Sequence, residues 1–147
     1  MKKVIYFLMF LLCINITLAC TNRINYLAEQ LKGNSTLETA YNIDIWVEEH
    51  NNYEYGKYKN RMCDYLNTGI GDCTDVARLK NMLLQKNNIS SRLVHGYNVY
   101  LKDGNTIQDK HDWYEFEYHP YWSNKSFWVT YEYSYYKHLK KIGHGIW

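Results

Sequence analysis

The sequence holds one proline, Pro120, and four cysteines among 147 residues. It has no low-complexity run and no internal repeat. These absences exclude a proline-rich linker and a repeat array. A charge surplus is missing too. Lys and Arg total 17 and Asp and Glu 15, and setting aside Lys2 and Lys3 with the leader leaves 15 against 15. Phosphate binding needs a basic surplus, so the balance argues against nucleic acid as the main partner. What the chain has in plenty is aromatic surface. Its 16 tyrosines and 5 tryptophans point to an aromatic-rich core and an aromatic groove. The length fits one domain, not two.

Residues 1–19 stand apart from that domain. Lys2 and Lys3 form a positive start, residues 4–12 are apolar, and the stretch ends in "ITLAC". This is a secretory signal pattern, too short for a comfortable membrane span. An uncleaved anchor is the alternative. "TLAC" resembles a bacterial lipobox, which implies cleavage before Cys20 and a lipid on its sulfur. Ala19 and Cys20 fit that pattern; Thr17 and Leu18 depart from it. The expectation is therefore export, with the membrane as a partner through a lipid at Cys20. Cys13 leaves with the leader, and the domain keeps Cys63 and Cys73. In an exported protein these two could form a disulfide.

Residues 20–36 are polar and read as a tether, with room for a short helix at 24–32. The domain is expected over 37–147. A helix is predicted over 37–50, capped by Ser35 or Thr36, with Leu37, Ala40, Tyr41, Ile45, Trp46 and Val47 forming its apolar side. A loop-rich, tyrosine-bearing region follows. A second helix is predicted over 73–86, where Val76, Ala77, Leu79, Leu83 and Leu84 recur at helical spacing, and Asn87 and Asn88 suit its end. The pattern then changes to alternation. "SRLVHGYNVYL" reads as a strand, "KDGN" as a hairpin turn, "KHDWYEFEY" as the return strand and "FWVTYEYSYY" as a third. The order is helix, loop, helix and three antiparallel strands, an α+β architecture.

"GDCTD" at the start of the second helix carries the chemistry. With Asp72 as cap, Cys73 is the first helical residue and Asp75 the third, close to a capping box. A thiol there meets the positive end of the helix dipole, which favours its thiolate. Two aspartates oppose this, unless their carboxylates turn to the backbone amides. A nucleophilic cysteine needs a base, and the base an orienting acceptor. Of the histidines, His111 is best placed, sharing a strand face with Trp113 and Glu115. The next strand carries Trp128, Thr130 and Glu132 on one face, with Glu132 as the orienting acid. Inert core or a disulfide with Cys63 is the plain alternative for Cys73. Cys73, His95 and His111 lack compact metal-ligand spacing. Arg92 reads as a structural ion-pair partner, and Trp113 and Trp128 as core or groove wall.

"GDCTDVARLKNMLLQKNNISSRLVHGY" resembles the cysteine motif of the transglutaminase-like superfamily, with Ile89, Arg92, Val94 and Gly96 in the places of its following strand. "HDWYEF" resembles the family's histidine motif and "WVTYE" its third motif, so the resemblance covers residues 37–133. The family usually places Asp where this chain has Glu132. The resemblance implies a papain-like core and acyl transfer on peptide or protein amides, with Cys73 as nucleophile, His111 as base and acid, and Glu132 fixing the imidazole. It implies no cofactor. The Cys73 N–H would be one oxyanion donor; Asn67, Tyr65 and Trp46 are candidates for the second. The alternative is a lipoprotein binding module that keeps the fold without turnover.

Overall fold

Ser35 has an extended backbone, and its hydroxyl accepts the Glu38 N–H at 3.1 Å, starting helix α2 at Thr36–His50. Ala40, Ile43 and Val47 then recur at helical spacing and are buried. The core-facing isoleucine is thus Ile43; Ile45 is only half-buried and Tyr41 is exposed. A computed structural model describes residues 2–59, 61–102 and 105–130. Its further elements are helix α1 (Lys2–Leu31), strand β1 (Asn52–Tyr53), helix α3 (Met62–Thr68), strand β2 (Ile70–Gly71), helix α4 (Cys73–Lys86) and strands β3 (Ser91–Lys102), β4 (Asn105–Tyr118) and β5 (Phe127–Val129).

Helix α4 is the hub, touching α1, α2, α3, β3 and β4. Leu79, Leu83 and Leu84 bury its apolar stripe. It closes at Asn87, and Asn88 takes a φ of 58°, a left-handed value that asparagine tolerates. β3 and β4 then pair antiparallel in unbroken register, from Ser91 opposite Phe116 to Lys102 opposite Asn105. β5 extends the sheet on the far side of β4, so the order is β3-β4-β5. Alternation divides β4 into two faces. Tyr114 and Phe116 are fully buried on the helix side. Burying Phe116 contributes roughly 2 kcal/mol. His111, Trp113 and Glu115 lie on the other face, opposite Gly96, Val94 and Arg92.

A charged cluster joins α2 to α4. Lys80 Nζ donates to Asp44 and Glu48, each at 2.7 Å, with Lys80 only 1% and Asp44 2% exposed. Burial pulls the Lys80 ammonium down, but the two carboxylates outweigh it and raise its pKa above the ordinary value.

Two expectations change at the N-terminal side. The stretch read as a tether is helical to Leu31, with Ile24 and Ala28 buried in the core and the Ala28 carbonyl accepting from Asn87 at 2.9 Å. Four-residue spacing of those two side chains puts both on one helix face, where α4 covers them. This packing brings Cys20 to Cys63, and the two form a disulfide with Cα atoms 5.7 Å apart. The sequence reading places a lipid on the Cys20 sulfur; in the structure it is bonded to Cys63. The Cys63–Cys73 pairing falls for the same reason, and Cys73 is a free thiol. Among the described residues no helix is long and apolar enough to cross a membrane.

Candidate active site

The site begins at the cap of α4. Asp72 is extended, and its carboxylate accepts the Thr74 N–H at 3.0 Å and the Asp75 N–H. Asp75 returns the contact, accepting from the Asp72 N–H at 3.3 Å. It also takes the Lys59 N–H, at 2.9 Å on its nearer oxygen. Both aspartates therefore spend their charge on backbone donors, as the sequence required. Asp75 is fully buried, and burial pushes its pKa up against those donors. Gly71 makes room for this: a Cβ there would sit 2.6 Å from an Asp75 oxygen and 2.8 Å from the Tyr65 ring. Gly69, at φ +65°, ends α3 in the left-handed region and aims the chain into β2.

Cys73 is half-buried at the first helical position. A hydrogen bond with His111 is the strongest influence on it and favours the thiolate. Burial works the other way. The Asp112 backbone N–H donates to the sulfur, the His111 charge adds to the effect, and Asp72 opposes it. The balance holds the Cys73 thiol below its ordinary value. Tyr53 on β1 has its phenol pushed up to about 12, by burial first and then by the negative Cys73 and Asp72.

Two networks steady His111 and its strand. On its own face, Trp113 stacks near the imidazole with ring centroids 6.0 Å apart. Trp113 packs against Gly96, where a Cβ would come within 2.6 Å of the indole. The indole N–H donates to Glu115 at 3.3 Å, and the other Glu115 oxygen accepts from Arg92 Nε and Nη2 at 2.9 and 2.7 Å. Arg92 in turn lies 4.1 Å over the Trp128 ring. Arg92 is therefore the structural ion-pair partner that the sequence suggested. On the helix-facing side, Asp112 accepts from the Thr74 hydroxyl at 2.5 Å and from His95 Nδ1 at 2.6 Å. Burial pushes the Asp112 carboxyl up, and these two donors overcome it and leave it below the ordinary carboxylate range.

The structure thus brings Cys73 and His111 together. Glu132 lies outside the described residues, as do His138 and His144. The three residues weighed as second oxyanion donors sit elsewhere. Tyr65 donates its hydroxyl to Asn51 at 2.9 Å, and Asn67 accepts from Arg23 at 2.8 Å. Both line a cavity of about 190 Å³ with Trp46 and His50, of which Cys73 is not a part. Tyr53 and Asp112 are the site residues that sequence reasoning missed. Asp112 had a signal, since it adjoins His111 and the hairpin places it opposite His95. No group of three or more metal-ligating side chains forms among the described residues.

Residues 25–133 match the family model of the transglutaminase-like superfamily core. The chain belongs to the transglutaminase-like superfamily. Its fold resembles the crystal structure of the periplasmic domain of TgpA from Pseudomonas aeruginosa, with a TM-score of 0.55 at 21% identity. That alignment covers 84% of this chain and 46% of the TgpA domain, so the chain spans less than half of that neighbour. No curated protein matches the sequence. The α+β, papain-like core read from the motifs is the architecture observed, with α4 laid against the β3-β4-β5 sheet.

Proposed function

We propose that this transglutaminase-like chain carries out thiol-dependent acyl transfer or hydrolysis on peptide or protein amide bonds. The observation that carries the reading is the hydrogen bond between the Cys73 sulfur and the His111 ring at the start of α4. The Cys73 thiolate attacks the amide carbonyl carbon and forms a C–S bond, and the carbonyl electrons move to oxygen. The tetrahedral intermediate collapses, the C–N bond breaks, and the His111 imidazolium gives its proton to the leaving nitrogen. A thioester remains on Cys73. Water or an amine then attacks it while His111 takes the incoming proton, and the C–S bond breaks to return the Cys73 thiolate, giving a carboxylic acid or a new amide.

Glu132 is the proposed third member, orienting the His111 imidazole. What supports it is its place four residues after Trp128 in the third family motif. Export is part of the same proposal. Support comes from the leader-like residues 1–19 and from the Cys20–Cys63 disulfide, a bond that persists in oxidising compartments. The TgpA neighbour is itself named a periplasmic domain.

The test is a panel of glutamine-containing peptides, followed for cleavage, ammonia release and incorporation of an added amine. At least one of these activities is expected from the wild type and none from Cys73→Ala. A folded wild type with no turnover and an ordinary, slow thiol would favour the binding module instead.

A further inference from the structure

The cavity of about 190 Å³ is walled by residues of α1, α2, α3 and α4 and has no part in the Cys73–His111 site. Its lining divides by depth. Val47 and Leu79 are buried and, with half-buried Leu66, form an apolar floor. Arg23, His50 and Asn67 are exposed and form a polar rim. An apolar hollow below a few placed polar groups is the ordinary anatomy of a small-molecule site.

Two ties hold the rim in shape. The Cys20–Cys63 disulfide joins α1 to α3. One turn further along each helix, Arg23 Nη1 donates to the Asn67 side-chain oxygen at 2.8 Å. Three- and four-residue spacings put each cysteine and its polar neighbour on one helix face, so the disulfide and the hydrogen bond close the same seam. On the α2 side, His50 Nδ1 donates to the Trp46 carbonyl at 2.7 Å, and its ring stacks on the indole with centroids 4.1 Å apart.

The polarity of the rim follows from what these contacts leave over. The Asn67 side-chain oxygen is taken by Arg23. The Thr68 hydroxyl donates to the Asp64 carbonyl at 2.9 Å and accepts the Ile70 N–H at 3.2 Å. Arg23 gives an N–H to Asn67 and has no carboxylate partner among the described residues. The side-chain N–H groups of Asn67 are likewise unspent among them. The rim's oxygens are engaged, while donors and a fixed positive charge remain. A phosphate would leave the floor unused; a carboxylate on an apolar body uses both.

We propose that this cavity binds a small organic carboxylate. Arg23 and the Asn67 amide hold the carboxylate, and Val47, Leu66 and Leu79 receive the apolar body. A guanidinium meets a carboxylate in the plane of its fork, and the Asn67 contact already fixes that plane, so little freedom is lost on binding. The room suits one compact ring or branched chain, not a polypeptide passing through.

Benzoate is the probe, and benzamide is its neutral isostere. Calorimetric titration of the full, disulfide-bonded chain should show saturable benzoate binding with a Kd on the order of 1 mM or tighter. Benzamide should bind about 10-fold more weakly, because it forfeits the charge-assisted bonds. Arg23→Gln should lose a similar factor for benzoate, about 10-fold. Its side chain is exposed, so the replacement leaves the core intact. In proton–nitrogen NMR spectra the Trp46 indole and Asn67 side-chain signals should shift on titration. Alkylating Cys73 beforehand should change none of this. Absence of saturable binding, equal affinity for benzamide, or wild-type affinity in Arg23→Gln overturns the proposal. Loss of benzoate binding on alkylation overturns it too, since the anion would then sit at the thiol.

Discussion

The Asp112 carboxylate accepts the Thr74 hydroxyl at 2.5 Å, tying the second residue of α4 to the strand that carries His111. The sulfur and the imidazole belong to different elements. This bond holds their separation, and the Asp112 N–H reinforces it from the backbone.

Asp112→Asn should therefore weaken the site and the fold together. Loss of charge-assisted hydrogen bonds to Thr74 and His95 is expected to cost about 1–2 kcal/mol in urea denaturation. The sign of its pH dependence follows from the lowered folded pKa. The stabilisation is present above the ordinary carboxylate value and is lost as pH falls through the folded one. Wild type should lose more stability than Asp112→Asn on acidification. Parallel curves for the two proteins would contradict the assignment.

Alkylation of Cys73 should titrate below the ordinary thiol value, because the folded site favours the thiolate. The rate should rise with pH and level off once the thiolate is fully formed. His111→Ala removes the largest favourable influence, and burial and Asp72 then act with less opposition. The midpoint should move up toward or past the ordinary thiol range. A midpoint that does not move would mean that the helix start alone sets the thiolate.

The Lys80 cluster should behave as one unit. Lys80→Met leaves two carboxylates facing each other in a dry site, and about 3–5 kcal/mol of stability should go with it. Asp44→Asn keeps Glu48 as counter-charge and should cost less. Lys80 has a raised folded pKa, so its contribution is full below the ordinary lysine value and is lost as pH rises through the folded one. Thermal melts of wild type between pH 6 and 9 should thus show no loss traceable to this cluster; the variants would expose one.

Removing the Cys20–Cys63 bridge should loosen the scaffold and spare the chemistry. Its partners are 43 residues apart, which in the chain-entropy account corresponds to about 4 kcal/mol. A Cys20→Ser/Cys63→Ser protein should melt earlier yet alkylate at Cys73 with the wild-type pH profile below its melting point. In a chain beginning at Cys20, mass analysis without reductant should find Cys73 alone modified.

How much of this could be read from residues alone varied with the range of the interaction. α4 was legible to its ends, because Asp72, Asp75 and the Leu79–Leu83–Leu84 stripe all act within one helix. The β3–β4 hairpin was legible for the same local reason, a two-residue connection between alternating runs. Cys73 and His111 were legible as motifs. Tyr53 was not, since a two-residue parallel bridge carries no periodicity and depends on Gly71 lying beside it. α3 hid in a loop-like stretch because seven residues give too few turns to show a pattern. The Cys20–Cys63 pairing depends on how α1 packs, and cysteine spacing does not encode packing.

That pairing has one more effect. A reactive thiolate in an oxidising setting is endangered first by thiols on its own chain, since an intramolecular partner needs no diffusion to find it. Cys20 and Cys63, two of the other three cysteines, are already committed to each other. In an exported protein, the oxidant that fastens the scaffold would thereby remove two thiols that could capture Cys73, the proposed nucleophile.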